Sequence, residues 1–192
     1  MPAFAQKISV SVQRERDRID LNAAGSGTLA ACFLGAGFSP ETARSMASRV
    51  IDWRDADDVP GPGGAEEADY HAAGLHYGPR NGPFESVAEL RQVLGLDNLR
   101  SSVLRLFTVY THQSDDTDAP DDFAPALPNS GPHCGGSRGL GEQSGYIGEV
   151  VRVRACAAEG VRLCRLVVAR LTGSMQNPFQ IFVWKTVGAE EE

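Results

Sequence analysis

The stretch YIGEVVRVRACAAEGVRLCRLVVARLTG, residues 146–173, alternates apolar and polar side chains on both sides of Glu159-Gly160, the pattern of two antiparallel strands joined by a turn. PFQIFVWKTV, residues 178–187, adds another strand. Near the other end of the chain, KISVSVQ at residues 7–13 sets Ile8, Val10 and Val12 against polar neighbours and reads as a strand too. These segments make an antiparallel sheet of about four strands, the first separated from the other three by the middle of the chain. The expected class is therefore α+β, with a helical subdomain of SAM-like or helix-hairpin type inserted after the first strand.

That middle carries helical signals. RIDLNAA, residues 18–24, leads into a helix over roughly 26–35 that ends near Gly35 to Gly37. In SPETARSMASRVIDWRDA, residues 39–56, Ser39 can cap, Pro40 takes the first helical position, and Ala43, Met46, Ala47, Val50 and Ile51 recur at helical spacing. Ser86-Val87-Ala88-Glu89 is a capping box for a third helix running to Gly95, and Asp97 is placed to cap a fourth that ends near Phe107. The organisation that follows is a first strand in 1–18, a helical subdomain over 19–110, a flexible linker over 111–145 and closing strands over 146–192. The linker assignment rests on Asp, Pro, Gly and Ser content, with five acids and no base from Asp115 to Asp122.

Composition narrows the function classes. With 42% hydrophobic and 22% charged residues the chain folds as an ordinary globule. A net charge of −7 and a pI near 5.1 disfavour nucleic acid, whose affinity rests on Lys and Arg neutralising phosphates. No apolar run reaches the roughly 18 residues a membrane span needs, and MPAFAQKISV lacks the core of a signal peptide, so the chain as written is expected to be soluble. No internal repeat, P-loop or GxGxxG occurs.

The densest chemistry lies where the second helix ends. Between Asp52 and Tyr70, seven carboxylates face one arginine, Arg54, a balance of −6 over 19 residues. Anions at a helix C-terminus oppose the macrodipole. The five prolines and glycines from Pro60 to Gly64 rule out regular structure in the loop that follows. Counted from Asp55 as in a calcium hand, Asp57 stands at position 3, Gly61 at 7 as a backbone donor and Glu66 at 12, with Asp58, Glu67 and Asp69 as further oxygen ligands. Val59 and Pro60 at positions 5 and 6 show that this is not an EF-hand. Trp53, Tyr70 and Tyr77 are expected to be buried and to anchor the loop, so that its carboxylates cannot splay apart. Like charges held about 4 Å apart repel by on the order of 4 kcal/mol at an effective dielectric near 20. A hard divalent cation, Ca²⁺, would relieve that; the competing reading is a solvated acidic face.

Other groups carry less. Cys32, Cys134, Cys156 and Cys164 show no CxxC spacing and so no zinc site. A three-residue loop at 159–161 would set Cys156 opposite Cys164, whereas a two-residue loop would send them to opposite faces. The expectation is free or buried thiols, as unpaired Cys commonly sits in cores. His71, His76, His133, Ser26 and Ser137 have no partner base at recognisable spacing, and no catalytic or cofactor-binding residue is assigned.

RIDLNAA, IDWRDADDVPGPGGAEEADY (51–70), YGPRNGPFESVAELRQVLGL (77–96), LFTVY (106–110) and the closing VVRVRACA, LCRLVVARLTG and QIFVWKTV together resemble the general secretion pathway protein K family, the large minor pseudopilin of type II secretion. The resemblance covers residues 7–187 and implies a non-enzymatic subunit at the tip of a periplasmic pseudopilus, in complex with I and J type minor pseudopilins. It implies a pseudopilin sheet with a helical insert, calcium in the helical part, and a place on the periplasmic face of the bacterial inner membrane. Matched position by position, Asp55, Asp57, Asp58, Glu66 and Asp69 stand where the family's acidic motif holds that ion. Family members also begin with a prepilin leader and an apolar membrane-anchoring helix, to which nothing here corresponds. Larger members carry a second helical unit where this chain has only residues 111–145. The alternatives are a soluble calcium-binding module, a helix-hairpin nucleic-acid module, which the −6 stretch opposes, and a metal-dependent hydrolase, which lacks an accompanying base or nucleophile.

Overall fold

The computed structural model describes residues 8–111, 147–157 and 163–188. They fall into two compact units, a sheet unit of 8–16 with 147–157 and 163–188, and a helical unit of 17–111.

The sheet unit holds β1 (Ile8–Arg14), β4 (Val150–Ala157), β5 (Leu163–Leu171) and β6 (Phe179–Gly188), all antiparallel, in the spatial order β1-β4-β5-β6. The strands β2 (Ile19–Asp20) and β3 (Phe107–Thr108) belong to the helical unit. Register aligns Val12, Val153, Val167 and Trp184 in one row across all four strands. A bulge between Val168 and Ala169 brings Ile181 opposite Ala169 and Phe179 opposite Leu171. On this face Ile8, Val10, Val12, Phe179, Ile181 and Trp184 are exposed, Val12 at 63% and Trp184 at 64%. The other face buries Cys164, Leu166, Val168 and Val187. Glu15, fully buried, accepts a hydrogen bond from Arg152 Nε at 2.5 Å, and Arg16 pairs with Glu149 at 2.8 Å, which ties the end of β1 to the start of β4.

Cys156 and Cys164 form a disulfide, which corrects the expectation of free thiols. The β4–β5 register places the two residues directly opposite, the outcome of an odd-numbered connection. The turn itself lies outside the described residues, as do Cys134 and His133. Cys32 is buried and takes no part in that bridge. Closing a loop of about nine residues restricts the unfolded chain enough to contribute about 2.5 kcal/mol. Urea unfolding of the Cys156→Ser/Cys164→Ser variant, followed at the sheet, is expected to show that loss; a change below about 0.5 kcal/mol would assign the bridge no stabilising role.

In the helical unit, α1 (Ser26–Gly35) and α2 (Pro40–Arg54) occupy the expected positions, and Ser39 Oγ accepts from Thr42 N–H at 3.2 Å. Their buried faces enclose Leu29, Phe33, Met46, Val50 and Trp53. Beyond α2 the pattern departs from expectation in three places. A short helix, α3 (Glu67–Ala72), follows the Pro/Gly run, because Asp69 caps the Glu66 N–H at 2.9 Å. The segment from Ser86 is a 3₁₀ turn at Val87–Arg91 rather than an α-helix to Gly95, although Glu89 does accept from Ser86 N–H at 2.8 Å as a capping box requires. The last helix, α4, covers only Ser101–Leu104 and starts after Arg100, not at Asp97. Its chain then straightens into β3, which pairs in parallel with β2. The linker assigned to 111–145 lies, but for Thr111, outside the described residues.

Polar side chains seal the unit's ends. Asp20 accepts from Thr111 N–H at 3.0 Å and Thr111 Oγ1 at 2.8 Å. Asn22 exchanges two hydrogen bonds with the backbone of Phe84, at 2.7 and 2.9 Å. Phe84 in turn stacks on Trp53, with ring centroids 6.1 Å apart.

Candidate metal centre

The acidic stretch is shaped by what its neighbours do. Arg54, in the last turn of α2, donates to the carbonyls of Leu21 and Ala24 and forms no hydrogen bond to the loop's carboxylates. Asp52, buried on α2, accepts from Gly61 N–H at 3.2 Å and from Ala65 N–H at 2.7 Å. Ser45 Oγ donates to Gly63 O at 2.6 Å and Ser48 Oγ to Pro62 O at 3.0 Å. The Pro/Gly loop therefore lies along α2 and delivers Glu66 back to the helix's C-terminal end.

One oxygen from each of Asp55, Asp57 and Glu66 lies within 4.8 Å of the others. Among the described residues this is the one group of three or more His, Cys, Asp or Glu side chains with converging donor atoms. These are positions 1, 3 and 12 of the loop count. The other two candidates are engaged elsewhere. Asp58 accepts from Asn81 Nδ2 at 3.3 Å, and Asp69 is committed to the Glu66 N–H. Gly61, offered as a carbonyl donor, instead accepts from Gly64 N–H at 2.8 Å. His71 pairs with Glu67 at 3.3 Å on the exposed side of α3.

Of the expected aromatic anchors, Trp53 and Tyr70 are buried with ring centroids 6.2 Å apart. Tyr77 is 42% exposed, which corrects the expectation of burial: it lies against Tyr70 from the solvent side, ring centroids 5.8 Å apart. Asp52, Ser45 and Ser48 were not singled out from sequence as site residues. Their signal is the spacing i, i+3, i+7 on one face of a strongly patterned helix.

The electrostatics test the fit of a cation. Both carboxylate oxygens of Glu66 and Oδ1 of Asp55 are buried without a hydrogen-bond partner. Burial, then the charges of Asp52, Asp55, Asp58 and Asp57, push the Glu66 carboxyl up to about 7. Burial, then Asp57 and Asp52, push Asp55 upward as well, against the opposing pull of Arg54. Orphaned buried acceptors are rare in folded chains because each costs its full desolvation penalty. The orphaned oxygens belong to Glu66 and Asp55; together with the exposed Asp57, whose Oδ1 also accepts from Val59 N–H at 2.9 Å, they make a hard-oxygen set that suits a divalent cation of the calcium or magnesium kind.

The family model of type II secretion system protein K matches residues 13–111. No curated protein matches the chain. Among solved structures, the chain is similar to one in the crystal structure of the GspK-GspI-GspJ complex of the enterotoxigenic Escherichia coli type 2 secretion system. Identity is 15% and the TM-score 0.57, over 97% of this chain and 82% of that one, a likeness of fold. As the model spans more than half of its length, from the end of the first strand through the whole helical unit and its acidic cluster, the chain belongs to the type II secretion system protein K family.

Proposed function

We propose that this chain is a minor pseudopilin that works at the tip of the periplasmic pseudopilus, by shape and surface rather than by catalysis. Its partners are I and J type minor pseudopilins, and a calcium ion in the 55–66 loop is structural. The family match over residues 13–111 carries this reading. One feature of the fold supports it. The row Val12, Val153, Val167 and Trp184 crosses a sheet face whose outer strands are apolar and exposed, the kind of surface that marks an interaction site. An apolar helix of the sort that begins family members, or a partner subunit, would cover it. Among the described residues no helix is long and apolar enough to cross a membrane.

Asp55, Asp57 and Glu66 would hold the ion, which when bound neutralises their charge and joins the end of α2 to the start of α3. The Asp69 carboxylate holds the Glu66 backbone N–H, which leaves the Glu66 carboxylate to the cluster. Trp53 and Tyr70 close the inner side against the core.

Co-expression with the cognate I and J subunits, followed by size-exclusion chromatography, tests the assembly role. A ternary complex is expected, and Trp184→Asp, a change at an exposed position, is expected to weaken it. Three separate elution peaks at micromolar concentration would overturn the reading.

A further inference from the structure

The segment that carries Glu66 has little apolar content to hold it: Pro60 to Gly64 is all proline and glycine. A polar row on α2 does so instead. Ser45, Ser48 and Asp52 fall on one helix face and make the contacts to Gly61, Pro62, Gly63 and Ala65 described above. The approach is close enough that a Cβ on Gly64 would stand 1.8 Å from Asp52 Oδ2, so only glycine fits there. Asp52 itself is 2% exposed, and its burial is supported by two backbone N–H donors. An amide in its place would turn an N–H₂ donor toward one of those N–H groups. Glu66 follows Ala65 directly in the chain.

We propose that this row, Asp52 above all, positions Glu66 for the cation: Asp52 is not a ligand but clamps the loop so that the Glu66 carboxylate meets those of Asp55 and Asp57. The inference rests on the calcium reading given above. Residues that orient metal ligands typically control affinity by 10–100-fold.

Calcium titration by calorimetry, with terbium as a luminescent probe whose decay in H₂O and D₂O counts the waters left on the ion, tests it on the full chain. Asp52→Asn is expected to bind calcium about 10–100-fold more weakly and to add water to bound terbium, with far-UV dichroism unchanged. Adding Glu66→Gln to Asp52→Asn is expected to cost little more, since both changes act through one carboxylate. Wild type that binds neither ion would sink the calcium reading and this inference with it. Wild type that binds, with Asp52→Asn equal to it in affinity and water count, would sink this inference alone. Should Asp52→Asn fail to fold, Ser45→Ala/Ser48→Ala decides the matter, because those hydroxyls sit at the solvent edge of the loop: weaker binding with added water sustains the clamp, and unchanged binding removes it.

Discussion

Calcium at about a hundred times its dissociation constant is expected to stabilise the helical unit by about 2.7 kcal/mol, which raises the melting temperature of a unit this size by roughly 10–20 °C. EDTA reverses the shift, and Asp57→Ala removes the difference between the two conditions. The dependence on pH is the sharper check. The Glu66 carboxyl titrates near 7 when folded and at 4.5 when not, so the folded state holds its proton more tightly. Stability from that group is complete below pH 4.5 and drains away as pH rises through 7, a loss of about 3 kcal/mol in all. Asp55, pushed the same way, adds to it. Cation-free protein is thus expected to melt at a lower temperature at pH 8 than at pH 5. A bound cation needs ionised ligands and reverses that slope. Melting curves by differential scanning fluorimetry at both pH values, with calcium and with EDTA, give the four numbers required. A cation-free chain as stable at pH 8 as at pH 5, and indifferent to calcium, would leave the cluster a solvated acidic face.

Phe107→Ala is expected to destabilise the helical unit by about 3–5 kcal/mol, the range for deleting a buried aromatic ring. Phe107 is fully buried on β3, its ring centroid 5.5 Å from that of Phe33 on α1, and its backbone pairs with Ile19. The cavity left by the ring opens where the last strand of the unit meets its first helix, against the Phe33 ring. Denaturant unfolding of the variant with the helical unit monitored by dichroism reads the loss directly. A cost below about 1 kcal/mol would mean that α1 and β3 do not share one core.

Helix α2 and the four-strand sheet were legible because their periods run unbroken over many residues and their punctuation is unambiguous: Ser39-Pro40 begins the helix, and alternation through Val150–Leu171 and Phe179–Gly188 defines the strands. The stretch from Gly64 to Thr111 was less legible. There the chain is held by side chains reaching across sequence distances that no local pattern reveals, as Asn22 does to Phe84 and Asp20 to Thr111. Val87–Arg91 carries a capping box, yet Gly95 and the packing of Leu90, Val93 and Leu96 tighten it to a 3₁₀ turn. In the acidic loop, the position count singled out Asp55, Asp57 and Glu66, whose oxygens converge, while the family motif set Asp58 and Asp69 beside them; the fold engages those two side chains with Asn81 and with the Glu66 backbone. Cys156 and Cys164 turned on a single residue of turn length, which sequence left open in both directions.

The first and last strands of the helical unit lie side by side, Ile19 against Phe107, with Asp20 fastened to Thr111. A cassette whose two ends meet can be spliced into a host chain, enlarged or exchanged with only a short join at its own termini, while β1 and β4 pair with each other through seven residues of their own. The sheet and its passenger can therefore diverge at separate rates, and residues 17–111 are the natural length to graft onto an unrelated scaffold.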